Sequence, residues 1–179
     1  MAELPSTLEE TARGRNSVLV GRQKQRVMIP RLPKMLDPRS VQLLHVEDDD
    51  LCLMGLHRAF KVAKLANPID CAHDGIDALE MLRGTNGRAR LPRPFVILLD
   101  LNMPRMGGIE FLQELRKDEE LRKSVVFIMT TSGAEDDKVK SYNLGVAGYI
   151  LKTNPANAFF EAAALLDTYW RVVELPARN

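Results

Sequence analysis

Long apolar runs are missing from this chain of 179 residues. No stretch reaches the roughly 18 apolar residues that a membrane-spanning helix needs, and no apolar segment of the signal-peptide kind stands at the N-terminus. Cysteine is scarce: Cys52 and Cys71 are the whole supply. They form no Cys-x-x-Cys pair and stand at no ligand spacing from a histidine, which excludes a disulfide framework and the common zinc motifs. A reducing, cytoplasmic setting is expected. Charge of either sign is nearly balanced, at a net +1, so no global field draws nucleic acid or anionic lipid. No nucleic acid and no membrane partner are expected.

The charge that is present is unevenly spread. Residues 1–39 hold eight Lys or Arg against four Asp or Glu, and the remainder holds seventeen against twenty. The first segment also carries Pro5, Pro30, Pro33 and Pro38 and has no sustained period of 2 or 3.6. It reads as an extended or disordered basic lead over 1–39, followed by one folded domain over 40–175 and a tail over 176–179. The lead has no aromatic interleaving of the kind that stacks bases.

From Val41 onward the pattern is regular. Short apolar runs at 41–46, 68–72, 95–99, 125–129 and 148–151 read as five strands. Between and after them, segments at about 50–64, 75–83, 108–117, 135–144 and 155–173 read as helices. Leu56, Ala59, Phe60 and Ala63 share one helical face, as do Phe159, Ala163, Leu166, Trp170 and Val173. Residues 95–99 are apolar throughout, as a strand buried on both faces should be. Such alternation predicts an α/β chain, a flavodoxin-like (βα)5 doubly wound parallel sheet in the order 2-1-3-4-5. That order puts a ligand site beyond the carboxyl ends of strands one and three.

Acids stand at both ends. Glu47-Asp48-Asp49-Asp50 follows the first strand and Asp100 follows the third. Carboxylates brought that close repel one another unless a cation lies among them, and an all-oxygen set suits Mg2+. A carboxylate beside such an ion can act as a nucleophile toward phosphorus. The fourth strand ends in Thr130-Thr131-Ser132, which supplies hydroxyls, and the fifth in Lys152, a point cation for a phosphate oxygen. Each alone has a plain reading as a cap or loop residue; the joint placement at four strand ends is what points to phosphoryl chemistry.

These pieces resemble the receiver domain of bacterial two-component response regulators over about residues 41–170. The resemblance is carried by Leu-Leu-His-Val-Glu47-Asp48-Asp49, Ile-Leu-Leu-Asp100-Leu-Asn-Met-Pro104-Arg-Met-Gly-Gly108, Met-Thr-Thr131-Ser132 and Gly-Tyr149-Ile-Leu-Lys152. It implies Asp100 as phosphoacceptor and Mg2+ held by Glu47, Asp48, Asp100 and the backbone carbonyl of Asn102. It also implies Thr131 as the hydroxyl that moves toward the phosphoryl group, Lys152 as its cation and Tyr149 as an aromatic switch. The implied partner is a sensor histidine kinase or a phosphotransfer protein, with relay through the face of helix four, strand five and helix five. Two departures stand out. Gly107 takes the place of a common acid, and Lys152 is followed by Thr153-Asn154-Pro155 instead of directly by proline, which puts the usual turn after strand five in doubt.

The details are most similar to stand-alone receivers paired with phytochrome-type kinases, a group in which homodimers through the same face occur. Tyr169, Trp170, Val172 and Val173 read either as core packing or as a dimer seam. Three other functions compete, one of them nucleic-acid binding through the basic lead. An aspartyl-phosphate phosphatase would need a second acid where Asn102 stands. A phosphorylation-independent interaction module, a degenerate receiver, would be expected to have lost some of these residues.

Overall fold

The computed structural model describes residues 41–175, so the lead expected over 1–39 and the tail over 176–179 lie outside the described residues. Ten elements alternate: β1 (Gln42–Val46), α1 (Asp50–Val62), β2 (Ile69–Ala72), α2 (Gly75–Arg83), β3 (Phe95–Leu99), α3 (Gly108–Lys117), β4 (Val125–Thr130), α4 (Glu135–Asn143), β5 (Gly148–Leu151) and α5 (Pro155–Val172). The strands form one sheet in the order β2-β1-β3-β4-β5, every pair parallel. This is the expected doubly wound flavodoxin-like arrangement.

Strand periodicity divides the core in two. Leu44, Val46, Ile97, Leu99, Val126 and Ile128 point to the side covered by α2 and α3, where they meet Leu82, Phe111, Leu112 and Leu115. Leu43, Val96, Leu98, Phe127 and Met129 point to the side of α1 and α5, against Leu56, Phe60, Leu166 and Trp170. Trp170 stacks edge-on against Phe60 at 6.0 Å between ring centroids, and Tyr169 against Phe127 at 5.0 Å. These two aromatics therefore belong to the core, whereas Val172 and Val173 face outward.

Sequence-encoded caps set where the helices begin and end. Asp49 caps α1 by accepting from Leu51 N at 2.8 Å. Asp74 caps α2, and Gly84 closes it in the left-handed conformation at φ 70°, where a side chain would be strained. β4 runs one residue further than its apolar stretch. Thr130 pairs with Leu151, and its carbonyl accepts from Lys152 N at 2.8 Å. The turn after β5 therefore keeps Lys152 pinned to the sheet although no proline follows it directly, and α5 opens at Pro155.

Candidate functional site: an acidic cluster at the strand ends

Register brings the acids together. Val46 pairs with Leu99, so the next residues, Glu47 and Asp100, emerge side by side. Asp100 N donates to Val46 O at 2.9 Å and Glu47 N to Ala72 O at 2.9 Å, which ties each to a neighbouring strand. Carboxylate oxygens of Glu47, Asp48 and Asp100 all lie within 4.8 Å of one another. Glu47 and Asp100 are buried, at 2% and 6% exposure, while Asp48 faces solvent.

Lys152 reaches the same point from β5. Its side chain is buried and its ammonium pairs with Glu47 Oε2, lying 3.6 Å from Asp100 Oδ1. Burial works against the lysine's charge, but the Glu47 hydrogen bond and the Asp100 charge hold its pKa above the ordinary value. Burial pushes the Glu47 carboxyl up, opposed by Lys152. Asp100 divides its two oxygens. Oδ2 accepts from Asn102 N at 3.2 Å, whereas Oδ1 is buried with no hydrogen-bond partner among the described residues.

That orphaned oxygen, next to two other carboxylates and one ammonium, tests the site for a metal. Three oxygen donors and no sulfur or imidazole suit a hard divalent cation that keeps several waters. Glu47, Asp48 and Asp100 fit such an ion, and Asn102 is tied to the same crevice by its backbone N–H on Asp100 Oδ2.

The remaining expected residues are placed as follows. Tyr149 sits mid-strand in β5, half-buried, its hydroxyl donating to Ser132 O at 2.9 Å. Thr131 lies one residue past β4 and is exposed. Thr130, beside it, is fully buried at the strand end, its hydroxyl accepting from Ser132 N at 3.2 Å. Ser132 does not cap α4. Its hydroxyl donates to Asp137 at 2.6 Å, and the α4 N-cap is Ala134. His45, in β1, is buried, its Nδ1 without a hydrogen-bond partner among the described residues and its Nε2 4.0 Å from Glu47. Burial, reinforced by Lys152 and His57, holds that imidazole neutral, with a pKa near 3.

Two neighbours were not read from the sequence. Cys52, in the first turn of α1, lies 4.0 Å from Lys152 Nζ and 3.5 Å from Asp49. The backward tilt of helical side chains toward the N-terminus is the signal that placed it there. Arg105 pairs with the buried Asp74, linking the loop after β3 to the start of α2.

Comparison with known proteins gives the family. The response regulator receiver domain family matches residues 43–164. Response regulator Rcp1 of Synechocystis is 32% identical over 142 residues, a match covering 79% of this chain and 96% of that protein. The crystal structure of the phosphorylated cyanobacterial phytochrome response regulator RcpA superposes with a TM-score of 0.70 at 30% identity, covering 76% of this chain and 99% of that one. The Mn2+-bound form of Rcp1 gives 0.69 at 32% identity, with coverage of 77% and 99%. With more than half its length matched by that family, the chain belongs to the response regulator receiver domain family.

Proposed function

We propose that this protein is a cytoplasmic phospho-receiver: Asp100 accepts a phosphoryl group from a sensor histidine kinase or a phosphotransfer protein. The observation that carries the reading is the buried Oδ1 of Asp100, without a hydrogen-bond partner among the described residues, beside the Glu47–Asp48 acid pair and 3.6 Å from the Lys152 ammonium. Glu47, Asp48, Asp100 and the Asn102 carbonyl would hold Mg2+. When bound, the ion offsets the crowded negative charge and polarises phosphoryl oxygens. An Asp100 oxygen attacks phosphorus in line, a P–O bond forms, the P–N bond of the donor phosphohistidine breaks and its electron pair stays with the imidazole. Lys152 then has a phosphoryl oxygen to pair with in place of Glu47. Apart from this self-directed transfer and the later hydrolysis, no enzyme activity is assigned.

The hydroxyl role read for Thr131 has a second claimant in Thr130, which is buried at the strand end. Separate alanine variants decide between them, since only the true contact slows phosphorylation. Tyr149 and Ser132 link the loop after β4 to β5, which supports relay through the α4–β5–α5 face. Val139 and Tyr142 on α4 and Phe160, Leu165 and Val172 on α5 are exposed apolar side chains that support homodimer contact there. The names of the cyanobacterial relatives support a phytochrome-type kinase as the first donor to assay.

Labelling with acetyl phosphate in Mg2+ tests the reading. Wild type should gain one phosphoryl group and Asp100→Asn none. Equal labelling of the two would refute it, and no labelling of either by any donor would favour the phosphorylation-independent module.

A further inference from the structure

The loop between β3 and α3, residues 101–107, carries Asn102. At its far end Gly108 N donates to Leu101 O at 3.0 Å. Its middle is held differently. Arg105 occupies the left-handed backbone region at φ 61°, a conformation that a long side chain keeps only when its surroundings over-determine it. Its guanidinium pairs with Asp74 Oδ2. The other oxygen of Asp74 is already used, accepting from Ile76 N at 2.8 Å and Asp77 N at 3.0 Å as the cap of α2. The next residue completes the contact. Met106 O accepts from Gly75 N at 3.1 Å, and the Met106 side chain passes 2.6 Å from where a Cβ on Gly75 would stand. The start of α2 is thus a mould against which this loop is shaped.

The ion pair is asymmetric. The Arg105 side chain is 61% exposed and that of Asp74 only 2%. A pair exposed on both sides contributes little, but removing this guanidinium strands a buried carboxylate oxygen. We infer that the Asp74–Arg105 pair is a positioning latch that fixes the shape of the loop after Asp100 and so aims the Asn102 carbonyl at the Glu47–Asp48–Asp100 cluster. This rests on the reading of Asn102 as a metal ligand. Neither residue belongs to the cluster, so both act through the loop, as outer partners do when they orient a ligand.

The test is Mn2+ binding to the full, unphosphorylated chain, followed by the electron paramagnetic resonance signal of the free ion. Asp74→Asn keeps an oxygen that caps α2 and removes the charge; Arg105→Gln removes the other partner. Each should weaken Mn2+ binding by about 10-fold, the double variant should be no weaker than the weaker single one, and Arg105→Lys should recover part of the loss. A merely structural pair would lower the melting temperature of both variants and leave Mn2+ affinity alone. Unchanged affinity in both single variants, or losses that add in the double variant, overturns the latch. Asp48→Asn serves as the control for the site itself. If it binds Mn2+ as tightly as wild type, or wild type binds none, the metal reading fails. The latch is then decided by amide exchange of residues 101–107: faster exchange in both variants upholds it and unchanged exchange overturns it.

Discussion

Gly108→Ala places one methyl group where the fold has no room. A Cβ there would lie 2.8 Å from Leu101 Cα and 3.0 Å from Leu101 Cδ2, and would overlap the Asp100 carbonyl oxygen. Carbon atoms rest at roughly 3.5–4.0 Å, so something must move by about 0.7 Å or more. The obstacle is backbone, and that backbone is fixed: Asp100 N is bonded to Val46 O, while α3 is anchored by the fully buried Phe111, Leu112 and Leu115. Overpacking of this kind costs about 1–3 kcal/mol. Replacing glycine in a helix returns at most about 1 kcal/mol, and less at the first turn. A net loss of about 1–2 kcal/mol in urea unfolding is expected, together with slower acetyl phosphate labelling, because the displaced carbonyl belongs to Asp100 itself. Gly133→Ala is the control, since nothing lies within 4 Å of a Cβ there; its stability should change by less than about 0.5 kcal/mol. Wild-type stability and labelling in Gly108→Ala would mean that α3 does not press on Asp100 as described.

Three further expectations follow from burial. Burial, then the Glu47 charge, pushes the Cys52 thiol from 9.0 up to about 11, so in a Cys71→Ser background it should react with iodoacetamide at pH 8 roughly 10-fold more slowly when folded than in urea, the loss of thiolate being partly offset by its greater nucleophilicity; equal rates would refute this. Trp170→Ala should cost about 3–5 kcal/mol, but Trp170→Phe less than about 1.5 kcal/mol, because the buried indole N–H has no partner among the described residues to lose; matching losses in urea titrations would count against that account. Within α4 only Ser141 is buried, so its amides should exchange faster than those of α3, and equal protection of the two helices would contradict the packing.

Much of the fold was readable because the strands are so apolar. Residues 95–99 admit no amphipathic alternative, and the acids that follow β1 and β3 fall at the switch point that sheet order alone defines. Thr130 was less visible. The apolar run stops at Met129, and the pairing that carries β4 one residue further comes from β5, a long-range contact that no local window contains. The burial of Thr130 beside an exposed Thr131 follows from that extra residue. Pairing between Arg105 and Asp74 was hidden for a different reason. It joins two loops thirty-one residues apart, and neither residue breaks a local pattern. Tyr169 and Trp170 were ambiguous since a helix face states that it is buried without stating against what.

The weakness of α4 gives the proposed output face its physical basis. Its sequence, EDDKVKSYN, offers almost nothing to the core, so it is held mainly at its ends. At the C-terminal end Arg116 donates to Leu144 O and Gly145 O just past α4 and to Arg122 O and Ser124 O just before β4, at 2.7–3.0 Å, which ties the two together. The N-terminal end depends on three bonds through one residue: Ser132 Oγ donates to Asp137 at 2.6 Å and accepts from Ala134 N at 3.4 Å, and Tyr149 donates to the Ser132 carbonyl at 2.9 Å. Ser132 directly follows Thr130 and Thr131. A rearrangement of that loop therefore acts on the loosely held end of α4, at about 1 kcal/mol for each hydrogen bond exchanged, while the Arg116 end stays fixed. With only Ser141 buried, α4 is an element whose position a charge gained at the proposed phosphoryl site can change, since low-stability segments are where such responses arise.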